Sequence, residues 1–410
     1  MVKLRYLEEA IKQLCFSEQK MAFISGPRQC GKTTFAKTLL KQRGQGIYLN
    51  WDEKVFRKAW AKNPADAVHT ALPAGITPMV ILDEIHKAKG WKRDLKGVYD
   101  QLDTPIDIIV TGSAKLDVYR RGGDSLLGRY HSFRLHPFSF AEMNGEIMRV
   151  PHDALIDHLF SPKLILTQEY RAHLEALMAF GPFPTPLFAQ NRNKLRLWQR
   201  ERTERLIRED LRDLSRIQEL SQIEMLVSLL PDRAGNPLSI NALREDLEVA
   251  YATMKLWISY LKQIYYCFDI KPYSRNITRS LKKEGKLYLW DWSEVEQEGA
   301  RFENLIANHL LKYAHYLTDT GEANVELHYL KNKEKKEIDF LLVKDKKPWL
   351  PIEVKTNDDT YSTNWANFLK ELPCKRGIQV TYKPNVYQRM SIPQGEVLII
   401  SAEYLLALLV

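Results

Sequence analysis

The sequence predicts an α/β chain in three units: a parallel sheet wrapped by helices, a mainly helical middle, and a second α/β unit towards the C-terminal end. Three observations predict it. Through roughly residue 140, short apolar runs at 21–25, 46–50, 79–82 and 106–111 alternate with helical stretches near 32–41, 53–62 and 91–102, the rhythm of parallel strands buried on both faces. From 191 to about 292 the pattern is helical and closes on the β-like run 286–290. An amphipathic helix at 300–315 then introduces strand-rich segments at 325–343, 350–354, 377–382 and 397–400. A chain of 410 residues is too long for one core, and the expected boundaries are 1–190, 191–295 and 296–410. Between 181 and 186 three prolines follow a glycine, which predicts a firm break in the chain.

Composition narrows the class. Hydrophobic residues at 45% and charged residues at 27% are ordinary for a globular protein. No run approaches 18 uninterrupted apolar residues, so no spanning helix and no membrane partner are expected. The closing run 404–410 reads as a packed element, and the acid-bearing N-terminus does not read as a secretory signal. Cys15, Cys30, Cys267 and Cys374 form no C-x-x-C pair, which disfavours zinc or disulfides and points to a reducing cytoplasm. The formal charge of +9 suggests an anionic partner.

The first element carries the strongest chemistry. The apolar run 21–25 leads into Gly26-Pro27-Arg28-Gln29-Cys30-Gly31-Lys32-Thr33, a complete G-x-x-x-x-G-K-T loop, and Thr34 opens a helix. Strand, glycine turn and helix start together aim successive backbone N–H groups into one concavity that suits a polyphosphate. Lys32 would neutralise β/γ-phosphate charge and Thr33 would complete a magnesium shell. About fifty residues on, Met79-Val80-Ile81-Leu82-Asp83-Glu84 offers a buried strand ending in two carboxylates. Asp83 is expected to engage the metal and Glu84 to orient or deprotonate a water, although such acids also cap helices. The strand 106–111 ends in Thr111 and, two residues on, Ser113, either of which could sense the γ-phosphate or simply cap a turn. Arg120, Arg121 and Arg129 are candidates for a transition-state arginine, and the sequence does not choose among them.

These blocks, with Leu126-Leu127-Gly128-Arg129 and the run from Leu135 to Glu142, resemble the AAA+ ATPases of the AAA_14 type that carry a C-terminal DUF4143 domain. The resemblance implies a core that binds ATP and Mg2+, with Gly26, Pro27, Arg28, Gln29, Cys30, Gly31, Lys32, Thr33 and Thr34 around the nucleotide. A second sensor arginine is not recognisable. By analogy with AAA+ sites, a ring or other homo-oligomer is expected.

In the middle unit, residues 191–216 hold nine basic and five acidic residues, either a phosphate-contacting face or a solvated one stitched by ion pairs. Ser239 can cap a helix over 240–247, and a short turn leads to a second at 252–264, the spacing of a helix-turn-helix. The β-like runs at 265–268 and 286–290 could form a wing, so a winged helix is expected, and the resemblance extends across this segment. Lys255 and Lys262, with Arg275, Arg279, Lys282 and Lys283 on the loop between the runs, are candidate DNA contacts, though winged helices also bind proteins.

The last unit holds a second constellation. Glu303 lies on the amphipathic helix, Asp339 precedes an apolar run, and Glu353 and Lys355 flank Val354 on one side of a strand. A hairpin would bring Asp339 and Glu353 close enough to share a metal, with Lys355 helping to activate water. This is similar to the PD-(D/E)xK restriction-endonuclease-like pattern, with Ile338 where its proline stands, and implies a nuclease-like fold that either cuts or only holds DNA. Lysines around it suit a polyanion or guard a sheet edge. Taken together, the expectation is an ATPase that remodels or translocates on duplex or branched DNA. The alternatives are an ATP-gated nuclease and a nucleotide-switched signalling or defence protein.

Overall fold

The computed structural model describes residues 4–69, 77–102, 104–112, 126–145, 147–148, 150–161, 165–211, 219–274, 284–332, 334 and 336–410. Two compact units emerge: residues 1–137 with a short stretch at 263–265, and 138–262 with 266–410. Residues 138–190, expected to belong with the first sheet, therefore cluster with the second unit.

In the first unit, β1 (Met21–Ser25), β2 (Gly46–Asn50), β3 (Met79–Asp83), β4 (Asp107–Thr111) and β5 (Tyr130–Arg134) form one parallel sheet in the order β2-β3-β4-β1-β5. β1, β3 and β4 are buried throughout, as continuous apolar runs under two layers of helices must be. The helices α1 (Lys32–Arg43), α2 (Lys54–Lys62) and α3 (Trp91–Asp100) follow β1, β2 and β3. One apolar layer gathers Phe23, Phe56, Trp60, Val80, Trp91 and Val110. Because β4 lies between β1 and β3, the ends of all three strands share one rim, with Asp83 in register with Thr111.

The second unit begins with helices, including α4 (Gln168–Phe180), a helix at Pro184–Ala189 and α5 (Arg192–Arg205). The expected break at 181–186 is present: α4 ends at Phe180, Gly181 follows with φ +72°, and a new helix starts at Pro184. Pro184 takes a first-turn position, where its missing N–H costs nothing. Next come α6 (Ile240–Asp246), capped by Ser239, whose Oγ accepts from the Ala242 N–H at 3.3 Å, and α7 (Tyr251–Gln263). The expected wing strands exist as an antiparallel pair, β6 (Cys267–Pro272) and β7 (Lys286–Leu289). They are not a free-standing wing: β6 also pairs in parallel with β8 (Val325–Lys331).

That pairing extends a sheet of eight strands in the order β12-β13-β11-β10-β9-β8-β6-β7, where β9 is Glu337–Lys344, β10 Lys347–Lys355, β11 Arg376–Thr381, β12 Tyr387–Ile392 and β13 Gly395–Ser401. The long helix α8 (Glu298–Asp319) contributes a nearly continuous buried face that includes Phe302, Leu305, Ile306 and Leu310. A shorter helix, α9 (Asn364–Glu371), packs Trp365, Phe368 and Leu369 into a second apolar cluster with Ile338, Leu341 and Ile399. The final turn Ala402–Leu406 is buried, as the apolar closing run predicts. No helix among the described residues is long and apolar enough to cross a membrane.

Candidate functional site

The glycine loop is built by backbone that only glycine tolerates. Gly26 has φ +148°, and a Cβ there would lie 2.2 Å from the Leu135 carbonyl oxygen. Gly31 has φ +100° and delivers the chain into the first turn of α1. Lys32 is buried beneath the loop and its Nζ donates to the carbonyls of Gly26 at 2.9 Å and Pro27 at 2.7 Å. The loop is braced from behind. Arg5, itself buried, donates to the Cys30 carbonyl at 3.0 Å and the His136 carbonyl at 2.5 Å. The Cys30 thiol donates to the Leu135 carbonyl at 3.3 Å.

Asp83 ends β3 facing this loop, and three hydroxyls donate to it. Thr33 Oγ1 reaches Oδ2 at 2.9 Å, the Tyr48 phenol reaches the same oxygen at 2.7 Å, and Thr111 Oγ1 binds Oδ1. The donors come from α1 and from β2 and β4, the strands on either side of β3. Burial, reinforced by the Asp83 bond, pushes the Tyr48 phenol far above its ordinary range. Glu84 follows in a left-handed conformation, φ +58°, with its N–H donated to the Thr111 carbonyl at 2.9 Å. That backbone turn swings its carboxylate away from the strand line, and a non-glycine residue holds it only when the surroundings compensate. Burial raises the Glu84 carboxyl, partly offset by Lys87 and Lys32. Lys87, 3.5 Å from Glu84 Oε2, is tied in turn to both oxygens of Asp52 at 2.9 Å. A carboxylate with a neighbouring threonine hydroxyl is the donor set magnesium takes beside phosphates, so Asp83 and Thr33 fit that ion.

The second cluster is also acidic but filled differently. Lys286, on β7 yet only 4% exposed, places its Nζ 2.5 Å from Glu337, 3.3 Å from Glu303 and 3.4 Å from Asp339. The Tyr288 phenol, two residues on and hence on the same side of the strand, donates to Glu303 at 2.7 Å. Asp339 Oδ2 accepts the Val354 N–H at 2.8 Å, and Lys355 pairs with Glu353 Oε1 at 2.9 Å. The expected juxtaposition of Asp339 with the Glu353 strand is present, since Phe340 stands opposite Ile352. Burial raises the Glu303 carboxyl to about 7, with Asp339 adding to it, and does the same to Glu353. Burial alone would lower Lys286, but Glu303, Asp339 and Glu337 override it and hold the ammonium well above its usual value. Among the described residues no three His, Cys, Asp or Glu side chains converge as a metal site. With Lys286 paired to Asp339 and Lys355 to Glu353, these two carboxylates do not fit the metal expected of them.

Comparison with known proteins agrees with the first unit. Residues 18–144 match an AAA domain, AAA_14. Residues 171–294 match a domain of unknown function, DUF8612, and residues 298–401 match another, DUF4143. An uncharacterised Haemophilus influenzae protein is 23% identical over 373 residues, 85% of this chain and 86% of that protein. One from Methanocaldococcus jannaschii is 26% identical over 303 residues, covering 68% of this chain and 62% of its own length. Among solved structures, a Walker-type ATPase of Pyrococcus abyssi is 16% identical with a TM-score of 0.41, covering 73% of this chain and 96% of that one.

In the first unit, Gly26 to Thr34, Asp83, Glu84 and Thr111 surround one rim of the sheet. Arg129 does not join them. It precedes β5 at the opposite end of the sheet and is paired with Asp100 at 2.7 Å, so it cannot serve the loop of its own chain. Ser113, Arg120 and Arg121 lie outside the described residues, as do Arg275, Arg279, Lys282 and Lys283. Lys255 is exposed on α7, whereas Lys262 is bound to Asp269 at 2.7 Å. Sequence reasoning missed Tyr48, Arg5 and Lys286. Only Tyr48 left a trace, as the sole hydroxyl on β2.

Proposed function

We propose that the AAA domain binds and hydrolyses ATP with Mg2+, and that the chain uses this cycle to bind and remodel, or move along, duplex or branched DNA. The observation that carries the first half is Asp83, held by the Thr33, Tyr48 and Thr111 hydroxyls beside the glycine loop, with Glu84 turned out next to it. Loop N–H groups and Lys32 would take the phosphates. Thr33 and Asp83 would hold magnesium, which supplies charge neutralisation on the phosphate oxygens when bound. Glu84, its basicity raised by burial, would accept the proton of an attacking water, and Thr111 would keep Asp83 oriented.

Support for DNA is electrostatic. The chain is basic, and α6 and α7 are arranged as a helix pair with Lys255 exposed on the second helix. A groove of about 490 Å³ runs beside Lys255, Lys262 and Lys271. A neighbouring subunit would supply the arginine that Arg129 cannot supply in its own chain, so a homo-oligomer, such as a ring, belongs to this reading. A cytoplasmic setting follows from its substrates. The second reading is a nucleotide-switched protein without DNA movement, favoured by one observation: Lys262 and Lys271 are both occupied by Asp269. ATPase rates measured with single-stranded, duplex, forked and four-way DNA separate the two. The DNA reading expects stimulation by particular structures that weakens when Lys255 is neutralised, and a rate indifferent to every DNA would remove it.

A further inference from the structure

We propose that Lys286 is the resident cation of the C-terminal acidic cluster, standing where a metal ion would stand in a nuclease and making that cluster a metal-independent structural lock rather than a cutting site. The argument starts from topology. Lys286 and Tyr288 alternate onto one side of β7, Glu337 and Asp339 onto one side of β9, and Glu303 comes from α8. Two elements distant in sequence, α8 and β9, thus aim three carboxylates at a single ammonium on β7, which has three N–H donors to distribute. The separations of 2.5, 3.3 and 3.4 Å match three such contacts.

The remaining acceptor positions are largely committed. The second oxygens of Asp339 and Glu337 take the Val354 N–H and, at 3.1 Å, Lys331, while Tyr288 donates to Glu303 Oε1, the oxygen the ammonium also contacts. A magnesium ion needs near-octahedral oxygen donors at about 2.1 Å and would have to evict the ammonium first. Lysine cannot polarise a water as a divalent ion does, so the cluster lacks the acid that phosphodiester hydrolysis requires. What it does instead is mechanical. It ties β7, at the end of the sheet, to β9 and α8, fastening the helical middle segment onto the C-terminal sheet within one unit. This inference does not depend on the ATPase reading, and either can fail alone.

Nucleotide-free wild-type protein and the Lys286→Met variant are titrated with Mn2+, reading free ion by electron paramagnetic resonance. Wild type is expected to take up no ion that Asp339→Asn removes, and its melting temperature should not move with Mn2+ or chelator. Lys286→Met should gain Mn2+ binding at least tenfold tighter than wild type, and a second substitution, Asp339→Asn, should abolish the gain. A folded Lys286→Met that gains nothing overturns the proposal. If that variant does not fold, the wild-type arms decide alone: no uptake and no melting shift support the lock. Stoichiometric uptake or Mn2+-dependent DNA cleavage, lost in Asp339→Asn, contradicts it.

Discussion

The two acidic clusters of this chain are made from similar parts and surrounded differently. Asp83 and Glu84 stand at a strand end beside a glycine loop, and the groups that touch Asp83 are neutral hydroxyls. Glu303, Glu337 and Asp339 stand on helix and strand around a buried ammonium. Hydroxyls orient a carboxylate without cancelling its charge, leaving it free to attract an external cation. A lysine orients and cancels at once. The difference teaches that a constellation of carboxylates is read by what neutralises it, not by its spacing alone.

The largest effect should come from breaking the first cluster's phosphate contact. Lys32→Ala is expected to weaken ATP binding on the order of 100-fold or more, since a buried charge partner is lost; a fluorescent-nucleotide titration checks it. Glu84→Gln should leave binding near wild type while turnover falls about 100-fold or more, because only proton transfer is removed. The same group predicts a pH dependence. Its carboxyl is raised, so it remains protonated to a higher pH than an ordinary glutamate, and kcat should fall as acidity increases through that pKa.

The second cluster responds in stability rather than turnover. Lys286→Met should cost roughly 3 kcal/mol, the scale for stranding buried charges without their partner, and it should appear in chemical denaturation. Glu303 and Glu353 keep a proton up to about pH 7 in the folded chain, against 4.5 for an ordinary glutamate. The folded state therefore binds more protons across that window, and stability should fall as pH rises through it. Glu353→Gln should flatten this slope, visible as melting curves that converge at low pH and separate by a few degrees above 7. The smallest effect is expected at Tyr48→Phe, which removes one bond to Asp83 and should cost about 1 kcal/mol of ATP affinity or less.

Much of the first cluster was legible because its strands are fully buried. Such strands are unbroken apolar runs, and β1 appears at the position the pattern predicts, with β3 and β4 within one residue of theirs. β5 was missed because Tyr130-His131-Ser132-Phe133-Arg134 is an edge strand with only Phe133 buried, and β12 is another polar edge. The wing misled for a related reason. Local pairing of β6 with β7 is real, but the parallel contact with β8 joins residues more than fifty positions apart. Lys286 was invisible for the same cause: a lysine near a strand end reads as solvated, and its partners at 303, 337 and 339 are assembled only by the sheet. Residues 138–190 followed the first sheet in sequence, yet Phe140 donates its N–H to His309 at 3.0 Å and buried Glu142 pairs with Lys312, both on α8.

The most direct test of the contrast is the Mn2+ stoichiometry of the wild-type chain measured with and without a slowly hydrolysed ATP analogue. The account predicts one tightly held ion per chain with the nucleotide, lost in Asp83→Asn, and none without it. An ion held in the absence of nucleotide and unaffected by Asp83→Asn would contradict it.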